Sequence, residues 1–186
     1  MNDTDSIQYD GETYLQIAEL TTTDSNDTSA VAVTTDHNVR MLFHISEKKL
    51  FIVTPSFSMT MEATSGTGDC LNNSSLECQK KAWEGPLPVG DYTINPAELS
   101  DPGLLQGLYR NMRHGDWGDW RVRLHPKSED ASTLYGRDGF FMHGGSLPGS
   151  AGCIDIGGGL LGSRQTNMMK TIVRMSSQTI LVEVRE

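Results

Sequence analysis

The sequence predicts a mainly β fold with one or two short helices. Short alternating or apolar runs outnumber segments with helical periodicity, and 19 glycines and seven prolines separate them. No run approaches the roughly 18 apolar residues that a membrane span needs. At 186 residues we expect one main domain, formed by residues 40–186, with residues 1–39 as an N-terminal extension or edge strands.

The predicted elements follow the chain in order. The run MLFHI, a polar SEKK tip and the run LFIVT predict a hairpin. The alternating segment SFSMTMEATSG predicts the next strand, whereas residues 66–81 show no periodicity. Further strands are predicted at Tyr92–Ile94, Trp120–Leu124, Gly139–Met142 and Thr179–Val184, a helix at Thr166–Met175, and weaker helical potential at residues 102–113.

Charge excludes one class of partner. The chain carries 15 Lys and Arg against 24 Asp and Glu, a net charge of −9. This balance repels phosphate backbones, and no cluster of basic residues offsets it locally, so we expect no nucleic acid partner. The amino terminus has neither a basic start nor an apolar stretch, which predicts no standard secretion signal and no membrane insertion.

The three cysteines divide into a possible pair and a single thiol. Cys70 and Cys78 share a polar loop, which makes a disulfide between them possible, and Cys153 lies alone in a glycine-rich run. A disulfide needs an oxidising compartment, although the sequence shows no signal for export. A non-classical export route would reconcile the two observations.

The segment FFMHGGSLPGSAGCI places His143 ten residues before Cys153. A cysteine is a useful nucleophile at neutral pH when an imidazolium or converging amides favour its thiolate. Gly152 allows a backbone geometry that turns successive N–H groups toward one point, as an oxyanion requires. Gly144 and Gly145 would let a substrate approach the imidazole. The alternative is that Cys153 is a small buried packing residue.

FMHGG followed by SAGCI resembles the active-site signature of the L,D-transpeptidase (YkuD-like) catalytic domain. Ser150, Gly152, Cys153 and Ile154 match that signature in order. Upstream, MLFHISEKKLFIV, MEATSG and GPLPVGDYTI are similar to the family's opening hairpin, following strand and Pro-x-Gly-x-Tyr segment. More narrowly, the sequence resembles the small Tlde1-like L,D-transpeptidase effectors of type VI secretion. The resemblance implies a β-sandwich or barrel with one or two short helices.

The resemblance also implies a reaction. Cys153 would attack the carbonyl between the L-centre of meso-diaminopimelate and the terminal D-Ala of a peptidoglycan tetrapeptide stem, and His143 would take the thiol proton. The amides of Gly152 and Cys153 are the candidate oxyanion donors. Ser150 would fix His143 within the loop, or is a plain turn serine. No cofactor and no metal are expected.

Other residues are candidates for substrate binding. Asp155 stands where the housekeeping enzymes usually have arginine, which favours trimming or exchange over cross-linking. Arg137 is the candidate for a stem carboxylate, and Trp117 and Trp120 for sugar or peptide faces. The alternative for Trp120 is a place in the core.

The implied biology is that of an antibacterial toxin. Such a protein is made in the cytoplasm, secreted by a type VI system and active in the periplasm of a target bacterium. Its partners would be peptidoglycan stems, a cognate immunity protein and a component of the secretion system. Two other functions stay open: a non-catalytic β domain that binds cell-wall glycopeptide, and a general cysteine peptidase that cuts ordinary L-peptides.

Two other motifs compete with this interpretation. Gly157, Gly159 and Gly162 fit G-x-G-x-x-G, and Glu183 follows about twenty residues later, as in dinucleotide sites. The sequence ends too soon after Glu183 to complete such a sheet, so we expect a loop beside the active-site strand. The segment HGDWGDW, residues 114–120, offers His and Asp, but its glycines predict a surface turn and not a metal site.

Overall fold

A computed structural model of the protein describes residues 38–101, 118–127, 134–159 and 161–186. Residues 1–37 of the predicted extension, and the predicted helical potential at residues 102–113, lie outside the described residues, so these predictions stay open. The described helices and strands are β1 (Arg40–His44), β2 (Lys49–Val53), β3 (Ser58–Glu62), α1 (Leu76–Gln79), β4 (Gly90–Ile94), β5 (Arg121–Arg123), β6 (His125–Pro126), β7 (Phe141–His143), β8 (Ile154–Asp155), α2 (Arg164–Met175) and β9 (Ile180–Arg185).

The predicted mainly β fold class is confirmed. In the part of the chain that the structure describes, the strands form two sheets, and one of two α-helices is only four residues long. Residues 66–81, which show no periodicity, contain α1 and a 3-10 turn at Gly68–Cys70. Among the described residues, no helix is long and apolar enough to cross a bilayer.

The larger sheet has the order β3-β2-β1-β9-β4-β6. The predicted hairpin is confirmed as the antiparallel pair β1 and β2, and Lys48 takes a left-handed φ of 59° in its turn. Strand β9 lies between β1, to which it is parallel, and β4, to which it is antiparallel. Its side chains alternate, with Ile180, Val182 and Val184 fully buried, as expected for a strand with one face on a core.

The smaller sheet has the order β5-β7-β8 and carries the site residues. Strands β5 and β7 are antiparallel, with Arg121 opposite His143. Strands β7 and β8 are parallel, with His143 opposite Asp155. An antiparallel bridge joins Asp155 to Thr64, just after β3, through two backbone hydrogen bonds of 2.8 Å. This bridge fixes the edge of the smaller sheet to the chain that leaves β3.

The core collects side chains from both sheets and from α2. Along the smaller sheet and the residues that flank its strands, every second side chain is part of this core. These side chains are Trp120, Val122, Leu124, Met142 and Ile154. The residues between them therefore face away from the core. That second face is where the candidate site lies.

Helix α2 begins where its sequence provides a cap. The Ser163 hydroxyl accepts a hydrogen bond from the Thr166 amide at 3.2 Å, and the Thr166 hydroxyl accepts one from the Ser163 amide at 2.6 Å. This reciprocal arrangement satisfies two amides at the helix start. Met169, Ile172 and Val173, at helical spacing, are buried. The predicted helix is confirmed and begins two residues earlier, directly after this cap.

Candidate active site

Strands β7 and β8 bring His143 and Cys153 to one face of the smaller sheet. Met142 pairs with Ile154 and His143 with Asp155. Because Met142 and Ile154 face the core, His143 and Asp155 project from the opposite face. By the same alternation Cys153, which precedes Ile154, belongs to the His143 face.

The ring of His143 is oriented by the backbone. Its Nδ1 lies 3.1 Å from the carbonyl oxygen of Gly144. A carbonyl only accepts hydrogen bonds, so in the neutral ring Nδ1 carries the proton and donates it to this oxygen. Nε2 then holds the lone pair that can accept a proton. The Gly144 carbonyl thus orients the imidazole, a role that a catalytic carboxylate has in other enzymes.

The thiol of Cys153 is buried, with 2% of the residue exposed. Burial raises the pKa of this thiol to about 11, and the negative charge of Asp155 adds to the increase. Hydrogen bonds from the Phe141 backbone and the Ser150 side chain, together with the charge of Arg137, act in the opposite direction on this pKa. Ser150 therefore interacts with the sulfur, and the two predicted alternatives, that it fixes His143 or is a plain turn serine, stay open.

The burial and the raised pKa of the thiol restrict how the sulfur could react. With a pKa of about 11, the thiol of Cys153 is protonated near neutral pH in this structure. A nucleophile at Cys153 would therefore need a base to remove the thiol proton during attack. A substrate would reach the sulfur only once the thiol becomes exposed.

Ser65 fixes the backbone of Cys153. Its hydroxyl donates to the carbonyl oxygen of Cys153 at 2.6 Å and accepts from the amide of Leu87 at 2.7 Å. Ser65 is fully buried, so both backbone groups depend on it for a partner away from water. Ser65 lies in the predicted strand segment SFSMTMEATSG, but this function could not be predicted, because nothing local shows that the end of this segment meets Cys153.

Gly152 has a left-handed φ of 74°, a backbone conformation that favours glycine. Its amide donates to the carbonyl of Gly85 at 2.9 Å. The amide predicted to stabilise an oxyanion is therefore engaged with Gly85 in this structure, and it would have to exchange that bond for one to substrate. The amide of Cys153 makes a longer bond, 3.3 Å, to the carbonyl of Ser150.

Arg137 is tied to the protein backbone. Its guanidinium donates to the carbonyls of Gln79 at 2.6 Å, Pro86 at 2.7 Å and Gly85 at 2.9 Å, and the residue is only 7% exposed. Arg137 thus holds the chain after α1 against the loop of Cys153. Its predicted contact with a stem carboxylate stays a prediction.

Asp155 organises the loops around the site. Its Oδ1 accepts from the amide of Gly157 at 2.8 Å and its Oδ2 from the amide of Gly149 at 3.2 Å. A Cβ on Gly145 would lie 2.8 Å from Oδ2, and one on Gly144 would lie 2.5 Å from the carbonyl oxygen of Gly157. The absence of side chains at Gly144 and Gly145 therefore allows this close packing, and the prediction that they also let a substrate approach stays a prediction.

The aromatic candidates for substrate binding do not lie in the described site, whereas two arginines lie near it. Trp120 is fully buried in the core, so its indole offers no face to a ligand, and Trp117 lies outside the described residues. Sequence analysis missed Arg121 and Arg123, which project from the other face of β5 and lie over the ring of Phe141. The alternation in WRVRL was the available signal, but the neighbour of this strand was unknown.

Cys70 and Cys78 form a disulfide with their Cα atoms 5.3 Å apart, and Cys153 is a thiol. The disulfide closes the loop that leads into α1. Cys78 directly precedes Gln79, whose carbonyl accepts from Arg137. The disulfide, α1 and Arg137 therefore form one continuous support beneath the Cys153 loop.

The structure describes the glycine run Gly157–Gly159 and part of the segment HGDWGDW. The amide of Gly159 donates to the carbonyl of Gly145 at 2.9 Å, so the glycine run packs as a loop beside His143 and leads into α2. Within the described ranges, no group of three His, Cys, Asp or Glu residues could hold a metal ion. Residues 114–117 of HGDWGDW lie outside those ranges.

The chain is similar to proteins that are already known. Residues 59–175 match the family described as the Tlde1 domain, a range that includes His143 and Cys153. Among curated proteins no sequence match was found.

Similar solved structures include Bd1075 of Bdellovibrio bacteriovorus, at 12% identity and a TM-score of 0.49 over 81% of this chain and 48% of that chain. An L,D-transpeptidase from Mycobacterium smegmatis has 13% identity and a TM-score of 0.42 over 80% and 59%. The helical cell shape determining protein Pgp2 from Campylobacter jejuni has 15% identity and a TM-score of 0.43 over 80% and 48%. The chain spans about half of the length of these proteins.

Proposed function

Because this chain belongs to the Tlde1-domain family, we propose that it is a cysteine enzyme that modifies peptidoglycan as an L,D-carboxypeptidase or L,D-transpeptidase. Its substrate is the bond between meso-diaminopimelate and the terminal D-Ala of a tetrapeptide stem. The observation that supports this proposal is the parallel pairing of β7 with β8, which sets His143 opposite Asp155, two residues after Cys153, with the Nδ1 of the imidazole on the Gly144 carbonyl.

The chemistry uses the two side chains in turn. The sulfur of Cys153 attacks the carbonyl carbon while Nε2 of His143 accepts the thiol proton. The tetrahedral intermediate collapses when the imidazolium returns the proton to the departing amine, and D-Ala leaves. The remaining thioester is released by water, which gives carboxypeptidase action, or by an amine, which gives exchange or a cross-link.

The oxyanion of that intermediate needs amide donors. One such donor contributes about 3 kcal/mol of transition-state stabilisation in other enzymes. The amide of Cys153, with its 3.3 Å bond to Ser150, needs less rearrangement to reach the oxyanion than the amide of Gly152, which donates to Gly85 at 2.9 Å. Cys153 is therefore the first donor of the proposed mechanism and Gly152 the second.

Trimming or exchange is the proposed outcome in preference to cross-linking. By its resemblance to the L,D-transpeptidases, Asp155 stands where the housekeeping enzymes usually have arginine, and its carboxylate is buried and accepts from the amides of Gly149 and Gly157. It supplies negative charge beside the thiol, where an arginine would supply positive charge for an anionic acceptor stem. Water and small amines carry no such requirement.

The proposed biological role is that of an antibacterial effector delivered by type VI secretion. The protein is made in the cytoplasm and acts in the periplasm of the target cell, where a cognate immunity protein would block the site. The disulfide between Cys70 and Cys78 supports action in an oxidising compartment.

The test is mass spectrometry of purified tetrapeptide muropeptides after incubation with the full chain. Loss of one D-Ala supports trimming, D-amino acid replacement supports exchange, and 3–3 linked dimers support cross-linking. The Cys153→Ala variant should be inactive, whereas a variant at an exposed serine, Ser177→Ala, should keep the activity. Stems unchanged by the wild type, or still cleaved by Cys153→Ala, would overturn the proposal.

The buried thiol favours one second candidate, a non-catalytic domain that binds cell-wall glycopeptide and keeps Cys153 as a packing residue. Cys153→Ala separates the two functions, because a binding domain retains its effect on cell walls without the sulfur. A general cysteine peptidase would be recognised by cleavage of ordinary L-peptides.

A further inference from the structure

We infer that Asn72 is a positioning residue for Cys153 and acts through Ser65. The disulfide between Cys70 and Cys78 holds Asn72 in that role, so the reactivity of the thiol in the site depends on a cross-link outside it. The inference rests on the proposed function, in which Cys153 is the nucleophile. It adds a residue that positions this nucleophile and a redox condition for its activity.

Asn72 takes up both backbone groups of Ser65. Its amide donates to the carbonyl oxygen of Ser65 at 2.7 Å, and its side-chain Oδ1 accepts from the Ser65 amide at 3.0 Å. Ser65 is fully buried, so water does not readily replace these bonds when they are lost. Asn72 therefore fixes the backbone of Ser65 at two points.

Ser65 passes this constraint to the site. Its hydroxyl donates to the carbonyl oxygen of Cys153 at 2.6 Å. The next residue, Gly66, donates its amide to the carbonyl oxygen of Ser150 at 3.0 Å. Two consecutive residues after β3 thus hold the loop of the proposed nucleophile, one at Cys153 itself and one three residues earlier. Asn72 is bonded to the first of them, so its position reaches the site through a single residue.

The disulfide is the buried anchor of the loop that carries Asn72. Cys70 and Cys78 are buried, whereas every residue between them is exposed or half-buried. Asn72 has a left-handed φ of 55°, a conformation that a residue with a Cβ adopts at a cost. A loop freed from its cross-link gains other conformations, and few of them keep this φ and both bonds to Ser65. The hold of Asn72 on Ser65 therefore weakens when the disulfide opens.

A dithiol reductant opens this disulfide in a balanced exchange. The bond between the sulfurs of Cys70 and Cys78 breaks, each sulfur gains a hydrogen, and the dithiol is oxidised to its own disulfide. The proposed function places synthesis in the cytoplasm, where thiols are kept reduced, and action in the periplasm, where disulfides persist. The chain would thus position Cys153 fully only in the compartment of its substrate.

The first variant is Asn72→Gly, because glycine accepts the φ of 55° and loses only the side-chain acceptor. In the full chain with its disulfide intact, kcat on tetrapeptide muropeptides should fall roughly 10- to 100-fold, the effect of a small misplacement of a reacting group. KM should stay unchanged, since Asn72 acts on the backbone of Ser65 and not on the substrate. The conservative variant Asn72→Asp keeps an acceptor oxygen and should keep the wild-type kcat.

Alkylation of Cys153 by iodoacetamide at pH 8 gives a readout that needs no substrate. The reagent needs an exposed sulfur but not its alignment with His143, and Cys153 is 2% exposed in the intact structure. Asn72→Gly should therefore speed alkylation about 2- to 10-fold, the effect of one hydrogen bond less against local opening. A merely structural loss would speed alkylation without lowering the kcat of the folded protein.

The disulfide is tested with C70S/C78S, in which Cys153 is the only cysteine of the chain. Both readouts should change in the same direction as in Asn72→Gly and by a similar factor. Adding Asn72→Gly to C70S/C78S should change them little further, because both changes remove the same constraint. The matched control Asn73→Gly, at an exposed asparagine in the same loop, should keep the wild-type values.

Three results would overturn the inference while the proposed function stands. They are a wild-type kcat in Asn72→Gly or in C70S/C78S, effects of the two that multiply when combined, and an equal effect of Asn73→Gly. A low kcat in Asn72→Asp would overturn it as well, because the acceptor oxygen would then not be the group that positions Cys153. If the wild type cleaves no stem, the proposed function falls, and the alkylation rates alone decide whether Asn72 and the disulfide fix Cys153.

Discussion

The hydroxyl of Ser65 donates a 2.6 Å hydrogen bond to the carbonyl oxygen of Cys153, across 88 positions of sequence. The same oxygen of Ser65 accepts from the amide of Leu87. The proposed nucleophile is therefore held at its backbone by a buried side chain from the turn after β3, while its sulfur interacts with Ser150 and the backbone of Phe141.

Ser65→Ala should destabilise the protein, because it leaves the Cys153 carbonyl and the Leu87 amide buried without their partner. Each such group costs about 1–3 kcal/mol, so the free energy of unfolding measured with urea should fall by about 2–4 kcal/mol. The control Ser56→Ala, at an exposed serine between β2 and β3, should leave it unchanged. A Ser65→Ala variant as stable as the wild type would show that these two hydrogen bonds do not contribute to the free energy of unfolding.

The reaction of Cys153 with iodoacetamide should accelerate throughout the range from pH 6 to pH 10. Burial raises the pKa of the thiol to about 11, so the reactive thiolate fraction increases about tenfold per pH unit below that value. Ser150→Ala should slow the reaction at a given pH, since the hydrogen bond from Ser150 lowers this pKa. A rate that levels off near neutral pH would instead indicate a standing ion pair with His143.

The same pKa has a consequence for stability. A folded-state pKa of about 11 lies above the ordinary thiol value of 9.0, so between these values the folded state binds more protons than the unfolded state. The contribution of Cys153 is fully present below about pH 9 and is lost as the pH rises through about 11. The free energy of unfolding of the wild type should therefore decrease more steeply over this window than that of Cys153→Ala.

Asp155→Asn should make the protein less stable and its thiol more reactive. Two amides, of Gly149 and Gly157, donate to the carboxylate, and an asparagine side chain has one acceptor oxygen and presents an NH₂ group to the other amide. We expect a loss of about 1–3 kcal/mol in the free energy of unfolding. Because the charge of Asp155 raises the pKa of Cys153, iodoacetamide should react faster at pH 8.

The matched control for this variant is Asp138→Asn, which removes an exposed carboxylate shortly before β7. It should change neither the stability nor the alkylation rate. Slower alkylation of Asp155→Asn in a folded protein would contradict the electrostatic influence of Asp155 on the thiol.

The hairpin β1–β2, the strand β3 and the helix α2 could be predicted because their signals are local: alternating side chains, a polar turn and helical spacing. The place of β9 between β1 and β4 could not, because its partners lie far away in sequence and TILVEV fits many neighbours. His143 and Cys153 were identifiable from a compact motif. The support that Ser65 gives depends on which turn meets which strand, and no local pattern records that.

Arg121 and Trp120 show the same limit of prediction from sequence, within the single run WRVRL. The alternation in WRVRL predicts that the tryptophan and the arginines face opposite sides, but it does not say which side carries the site. Once β7 is known to be the neighbour of β5, the face of His143 is also the face of Arg121, and Trp120 belongs to the core.

Replacing both Cys70 and Cys78 by serine should lower the free energy of unfolding by about 2–3 kcal/mol, the chain-entropy value for so short a loop. The effect should reach the Cys153 loop, because Gln79, next to Cys78, accepts from Arg137. A reducing agent should destabilise the wild type and leave the double variant unaffected. Equal sensitivity of both proteins to the reductant would contradict a stabilising disulfide.

The parallel pairing of β1 with β9 sets the order in which the protein can fold. Arg40 meets Leu181, so this contact closes a loop that contains most of the described chain, and closures of such length slow folding. The strands of the smaller sheet, between Arg121 and Asp155, pair over much shorter separations. We therefore expect the edge of β1 that pairs with β9 to stay open during synthesis until β9 is made, an interval that favours aggregation of the nascent chain.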